Sequence, residues 1–294
     1  MMQRKSIIII NPVAGTRRNA DAENRIRSWV EMNQNGCDIE LTRYRGHARE
    51  IAANALSAGF NHFIVAGGDG TLNEVASAIY GNENVSLGII PLGSGNGLAL
   101  HLRLPLNIEK ALGIAFGSHV LASDVGLLNG IPFFSVAGVG FDAMVAYKFS
   151  QMKGRGLRNY VLAVMKNYPG YKATEFTVDA VGKAFTGKLL MISFANSNQF
   201  GNNTSLSPDA SLSDGMIDIC LMKKVPVPAA AFLSPLLFLK KMNQTRYLKI
   251  IRAASAKIMV QLPAYYHIDG DPYLLDISEI QLQTLPSALN IHIK

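Results

Sequence analysis

The apolar positions of this chain change rhythm part-way along it. Through the first 120 residues, short unbroken apolar runs alternate with stretches in which apolar residues return every three or four positions. Lys5–Ile10 predicts a strand buried on both faces, Ala20–Gln34 an amphipathic helix and Cys37–Arg43 a strand. Ala48–Ala58 then reads as a helix, His62–Ala66 as a strand, Leu72–Tyr80 as a helix and Val85–Ile90 as a strand, with helices at Gly95–Leu102 and Ile108–Phe116. Such alternation predicts a parallel sheet with helices on both faces. After Ser123 the pattern shortens to strand-like runs at Val120–Leu127, Phe133–Ala137, Glu175–Val181, Lys183–Asn196, Met216–Met222, Leu248–Arg252, Lys257–Gln261, Tyr265–Asp269 and Ile277–Gln283. Tyr147–Tyr168 and Ala229–Met242 look helical. Many short strands parted by turn signals predict an antiparallel sandwich or open barrel. The change of texture puts a domain boundary between residues 120 and 125, giving domains 1–122 and 123–294, and the alternating tail Asn290–Lys294 is able to return to either sheet.

In parallel sheets ligands bind beyond the carboxyl ends of the strands, and the glycine-rich loops of the first half lie there. Asn11-Pro12-Val13-Ala14-Gly15 follows the first strand, and Arg17 and Arg18 behind it suit phosphate oxygens. Gly67-Gly68-Asp69-Gly70-Thr71-Leu72-Asn73-Glu74 follows the third: its glycines expose peptide N–H groups, and the next helix aims its positive end at the same point. Thr71 and Glu74 have the spacing of a capping box, which leaves Asp69 for another task. Pro91-Leu92-Gly93-Ser94-Gly95-Asn96-Gly97 makes a second anion cradle at a neighbouring strand end. Two such cradles suit a long anion such as a nucleoside triphosphate. Neither is GxxxxGK[ST] nor GxGxxG. The second half offers carboxylates in Gly138–Ala143 (Asp142), Ser211–Met216 (Asp214, with carbonyls beside it, suited to a hard cation or simply a hairpin turn) and His267–Pro272 (Asp269 and Asp271).

Composition narrows the classes. Two cysteines far apart, Cys37 and Cys220, build no disulfide framework, and the six histidines show no tight ligand spacing. The longest apolar stretch, Val225–Leu239, is broken by three prolines and falls short of a membrane span, so a soluble cytosolic protein is expected. The net charge of +7 is concentrated in the second half. From Ala143 to Thr174 six basic residues (Lys148, Lys153, Arg155, Arg158, Lys166, Lys172) meet no acid, and from Ile219 to Ile268 eight do likewise. Anionic lipid surfaces attract such stretches at about 1 kcal/mol per basic side chain. A solvated face without a partner is the plainer alternative, and no motif supports nucleic acid as a partner.

The ordered set NP-V-A-G, GGDGT-LNE, PLGSGN-GLA, GVGFDA, LSDGMID and DGD, over residues 11–271, resembles the diacylglycerol kinase catalytic family, which includes sphingosine kinases and bacterial lipid kinases. The GGDGT element is shared with the wider NAD kinase-like superfamily. The resemblance implies an α/β fold, with a Rossmann-like N-terminal domain, a C-terminal antiparallel β-sandwich domain and nucleotide in the interdomain cleft. By position it implies ATP at Asn11, Pro12, Val13, Ala14, Gly15, Thr42, Gly67, Gly68, Asp69, Gly70, Thr71, Leu72, Asn73 and Ser94. Ser211, Asp214 and Met216 match a magnesium site built from one carboxylate and flanking carbonyls. Asp271 falls where bacterial relatives carry a glutamate as general base, Asp69 matches an alternative base, and Asp142 matches a lipid-binding aspartate. The Asp-Gly-Asp in place of Asp-Gly-Glu, and Gly97 in place of an aspartate, depart from the bacterial pattern.

The expectation is an ATP- and Mg²⁺-dependent lipid kinase of phospholipid metabolism, acting on a primary hydroxyl of diacylglycerol or, alternatively, a sphingoid base. It would sit peripherally at the inner membrane face, with the stretch near Phe232–Leu239 taking the lipid chain; edge strands allow a homodimer. NAD kinase and a non-catalytic nucleotide- or lipid-binding regulator are the rival readings.

Overall fold

A computed structural model of the chain describes residues 4–15, 21–33, 36–152, 157–200 and 204–294. Arg17, Arg18, Lys153, Arg155 and the side chain of Arg158 lie outside the described residues. The chain divides into two units, Met1–Asp124 with Ser287–Lys294, and Val125–Pro286.

In the first unit the order is β1 (Ser6–Ile10), α1 (Ala22–Met32), β2 (Cys37–Leu41), α2 (His47–Ser57), β3 (His62–Gly67), α3 (Asp69–Ile79), β4 (Ser86–Pro91), α4 (Gly97–His101) and α5 (Ile108–Ala115). The strands pair in parallel in the order β2-β1-β3-β4. β1 is flanked on both sides and buried along its whole length, which explains why it reads as four isoleucines rather than an alternation. Ile8, Ile10, Ile64 and Ile90 meet Ile26 of α1 and Ile108 and Leu112 of α5, while α2 and α3 bury Ala48, Ala52, Val75 and Ile79. The tail returns to this sheet, where Asn290 and Ile291 pair in parallel with Ser86 and Leu87.

The second unit takes up the chain within β5 (Val120–Leu128) and continues with β6 (Ile131–Phe133), β7 (Val136–Gly140), α6 (Phe141–Ser150), α7 (Leu157–Asn167), β8 (Thr174–Ala180), β9 (Lys183–Leu189), β10 (Met191–Ala195), β11 (Ile217–Met222), α8 (Val227–Leu233) and α9 (Pro235–Phe238). Then come β12 (Leu248–Ala253), β13 (Ser255–Val260), β14 (Ala264–Ile268), β15 (Asp271–Leu275) and β16 (Glu279–His292). One antiparallel sheet runs β12-β11-β10-β7-β14-β15 and the other includes β16-β13-β8-β9. Val178, Ile258 and Ile280 of the second sheet interdigitate with Val139, Ile192, Phe194 and Ile219 of the first, the packing of a sandwich. The other face of the first sheet carries Met191, Cys220, Met222 and Leu248, which α6, α7, α8 and α9 cover with Val145, Ala163, Leu233 and Leu236.

The second unit departs most from the pattern-based expectation. The run Lys183–Asn196 is two strands in different sheets, β9 and β10, parted at Leu190. Phe133–Ala137 is likewise split into β6 and β7. The peptide N–H groups of Phe134, Ser135 and Val136 turn instead to the carboxylate of Asp269, at 3.0, 2.9 and 2.9 Å. Tyr147–Tyr168 is two helices, the first beginning at Phe141. Ile277–Gln283 is the opening of one 14-residue strand that ends in the tail. β15, unforeseen as a strand, pairs with β14 through a two-residue turn with Asp269 at φ 47° and Gly270 at φ 90°.

Candidate active site

The glycine loops of the first unit converge by direct backbone contact. An ideal Cβ on Gly93 would lie 2.5 Å from the Cα of Gly68, and one on Gly68 would lie 3.1 Å from the Cα of Gly93. At Gly93 a side chain would force the loops after β3 and β4 apart, and at Gly68 it would require the facing backbone to give by a few tenths of an ångström. Leu92 N–H donates to Gly67 C=O at 2.9 Å and continues the strand pairing into this contact. The first loop joins through Asn11, whose Nδ2 donates to Thr71 Oγ1 at 2.9 Å while its Oδ1 accepts from Val13 N–H at 3.1 Å. Thr42 N–H donates to Ile10 C=O at 2.9 Å and brings the end of β2 alongside.

Helix α3 begins three residues earlier than the apolar period suggests, at Asp69. The capping box does not form. Thr71 is buried inside the first turn and accepts from Asn11, and Glu74 caps α2 instead, accepting from Gly46 N–H at 2.8 Å and Ala48 N–H at 3.1 Å. Gly68 is the N-cap, and it has no side chain to cap the first turn. Asp69 is not uncommitted: its Oδ1 accepts from Gly97 N–H at 2.7 Å, and its Oδ2 comes within 2.9 Å of where a Cβ on Gly95 would stand. The carboxylate is thereby lodged in the Pro91–Gly97 loop, where Asn96 adopts φ 52° and donates to Gly93 C=O at 2.8 Å. Pro12, Val13, Gly15, Gly70 and Ser94 are exposed along this rim, and Ala14, Thr42, Leu72 and Asn73 complete the set expected from the sequence.

In the second unit Asp142 opens α6 and is buried; its Oδ1 accepts from Ala143 N–H at 2.8 Å and its Oδ2 meets His267 Nε2 at 3.1 Å. Both groups lie against Gly138, where a Cβ would stand 2.5 Å from the carboxylate and 2.7 Å from the imidazole. Burial, and after it the charge of Asp142, push the Tyr171 hydroxyl up to about 12 and raise that of Tyr160 as well. The partner His267 was not foreseen, although its place in β14 just before the Asp-Gly-Asp turn was the available signal. That turn divides its acids: Asp269 is spent on three peptide N–H groups, and Asp271 stands half-buried at the start of β15.

The Ser211–Met216 segment closes on itself and on an arginine. Ser211 Oγ accepts from Ser213 N–H at 3.3 Å, and Asp214 Oδ1 accepts from Met216 N–H at 3.1 Å. Asp214 Oδ2 lies 3.7 Å from Arg252 Nη1. Arg252 Nε donates to Oδ1 of buried Asp218 at 2.9 Å, and Ser207 Oγ donates to the other oxygen of Asp218. Asp218 and Arg252 were missed, though an acid between Ile217 and Ile219 in an otherwise apolar strand requires a partner. The cationic group that meets these carboxylates is the Arg252 guanidinium. Among the described residues no group of three or more His, Cys, Asp or Glu is arranged to hold a metal ion.

Known proteins resemble this chain along nearly its whole length. Residues 5–128 match the diacylglycerol kinase catalytic domain, and residues 135–293 match the YegS C-terminal NAD kinase beta sandwich-like domain. The chain belongs to the diacylglycerol kinase catalytic family. It is 28% identical to a diacylglycerol kinase of Bacillus subtilis, over 91% of this chain and 90% of that one. It is 30% identical to a diacylglycerol kinase of Staphylococcus saprophyticus, over 76% and 74%. A crystal structure of a diacylglycerol kinase from Bacillus anthracis superposes with a TM-score of 0.75 at 20% identity, covering 100% of this chain and 98% of that one, a likeness of fold. As a family member the chain is a lipid kinase with a nucleotide substrate, a Rossmann-like unit and an antiparallel sandwich unit. No helix among the described residues is long and apolar enough to cross a membrane.

Proposed function

We propose that the chain transfers the γ-phosphoryl group of ATP to a primary hydroxyl of diacylglycerol or a closely related lipid. The observation that carries this reading is the pair of touching glycine loops, with Asp69 lodged between them at the uncapped start of α3. Phosphoryl transfer asks the protein mostly for positioning and charge stabilisation. Peptide amides of the glycine loops supply the second, and the backbone contact of Gly68 with Gly93 supplies the first. A magnesium ion bound with ATP would offset charge on the phosphates. Asp69, held by Gly97 N–H, fixes the relation of the two loops. Asp271 accepts the lipid hydroxyl proton as that oxygen bonds to the γ-phosphorus and the bond to the β,γ-bridging oxygen breaks.

The lipid is reached at an anionic membrane surface. The helical layer of the second unit turns large apolar side chains outward: Phe232 is 84% exposed, Met165 66%, Leu239 62% and Leu162 51%. The stretch near Phe232–Leu239 therefore faces outward in part, with Leu233, Leu236 and Leu237 packed beneath it. Lys148, Lys166 and Lys241 are exposed on or beside the same helices. Apolar groups interleaved with lysines, the one acid of these helices (Asp142) being buried, suit an interface of acyl chains and anionic headgroups.

Radiolabelled ATP incubated with a total lipid extract tests the activity. A labelled phospholipid bearing phosphate at a former primary hydroxyl is the expected product. ATP binding without any labelled lipid would instead assign a non-catalytic regulator, and labelled NADP from added NAD would assign the rival kinase.

A further inference from the structure

We infer that Arg252 stands in for a cation beside Ser211, Asp214 and Met216, the set for which the resemblance implies a magnesium ion: its guanidinium takes up Asp214, the acid of that set, and ties it to Asp209 and Asp218. The inference stands on geometry within the second unit and is separate from where nucleotide binds. One guanidinium reaches three points of the Ser207–Asp218 segment: Asp218 Oδ1 from Nε at 2.9 Å, Asp209 C=O from Nη2 at 3.4 Å and Asp214 Oδ2 from Nη1 at 3.7 Å. A structural divalent ion does this kind of work, tying the ends of a loop through one carboxylate and neighbouring oxygens.

The arginine is not free to swing aside for an ion. It lies opposite Asp218 in the register of β11 and β12, and Asp218 is buried. Withdrawing the guanidinium would leave that carboxylate in the interior with only the Ser207 hydroxyl as partner. While it stays, a magnesium ion at its usual distance of about 2.1 Å from Asp214 Oδ2 would stand beside a fixed positive charge. The other oxygen of Asp214 already accepts the Met216 N–H. Arg rather than Lys suits the position, because a planar fork serves several acceptors at once while a point charge does not.

The test uses the full-length, nucleotide-free protein. Free Mn²⁺ is followed by electron paramagnetic resonance during titration, and Tm is measured in EDTA and in excess Mg²⁺ at equal ionic strength. Wild type is expected to sequester no Mn²⁺ and to keep one Tm in both buffers; an ion held at a hundred times its Kd would raise Tm by roughly 5–10 °C. Asp214→Asn is expected to behave as wild type. Arg252→Met is expected to melt lower in EDTA and to recover in Mg²⁺, because the vacated carboxylates then accept the ion. One Mn²⁺ bound per wild-type chain and lost in Asp214→Asn would overturn the inference, as would an Arg252→Met protein that folds but gains nothing from Mg²⁺. Should Arg252→Met not fold, the comparison of wild type with Asp214→Asn still decides. Lipid phosphorylation is measured separately, so absence of kinase activity would count against the proposed function and leave this result standing.

Discussion

Replacing Gly93 by alanine tests whether backbone contact between the two glycine loops sets the activity. The added Cβ would stand 2.5 Å from Gly68 Cα and 2.8 Å from Asn96 Oδ1. Carbon atoms in contact rest about 3.5–4.0 Å apart, so the loops must part by about 1 Å. Overpacking of that size costs about 1–3 kcal/mol of stability. The kinetic cost is larger in proportion, because a misplacement of about 1 Å in a positioned site lowers the rate by about a hundredfold. Gly68→Ala, whose Cβ would sit at 3.1 Å, demands a smaller shift and is expected to fall between Gly93→Ala and wild type. Gly113→Ala is the control: its Cβ meets nothing within 4 Å and it lies inside α5, so stability should rise by about 0.5–1 kcal/mol without change in rate. Urea unfolding gives the stabilities, and kcat/KM for ATP at saturating micellar diacylglycerol gives the rates. Gly93→Ala retaining wild-type turnover while Gly68→Ala and Gly113→Ala also remain unchanged would refute the positioning argument.

Four further outcomes are expected. Asp69→Ala, which removes the acceptor for Gly97 N–H, should loosen the two loops and lose turnover; a folded variant with wild-type turnover removes the role assigned to that carboxylate. Asp271→Asn should lower kcat by about 10²–10⁴, and a folded variant with wild-type kcat would move the base elsewhere. Burial first, then the charges of His292 and Arg4, hold His62 at about 3, and burial, then Arg4, holds His292 at about 4, both below the ordinary 6.5. Both pKa values are lowered in the folded state, so the unfolded chain takes up protons first as pH falls below about 6.5; at pH 5 the pair should cost about 4 kcal/mol, and His292→Asn should flatten that part of the urea-stability curve. Phe232→Ser should leave stability nearly unchanged at an 84% exposed position and weaken binding to anionic vesicles about tenfold or more; wild-type binding should also fall with salt, and salt-independent binding would sink the membrane face.

Much of the first unit was legible because its signals are local. Four consecutive β-branched isoleucines before a turn suit a strand covered on both faces, and glycines set after apolar runs mark loops. Periodicity also located α1, α2, α3 and α5 to within a few residues. In the second unit the pattern showed strands but not their partners. An uninterrupted run such as Lys183–Asn196 has the same texture whether it stays in one sheet or changes sheet at Leu190, because both inner faces are equally apolar. The roles of the acids were the least legible. Asp69 and Asp269 look alike in sequence, each beside glycine after an apolar run. The fold closes Gly97 N–H onto the first and the Phe134, Ser135 and Val136 N–H groups onto the second. Glu74 looked like a cap for its own helix and serves another, since the start of α2 is brought to it from 28 residues away. The chain alone determined its covalent neighbours, its apolar rhythm and the positions of its glycines, and these fix local conformation. Which carboxylate meets which donor was decided by tertiary structure, because an ion pair or hydrogen bond depends on distances of a few ångströms between residues far apart in sequence, as Asp142 with His267 and Asp218 with Arg252 show.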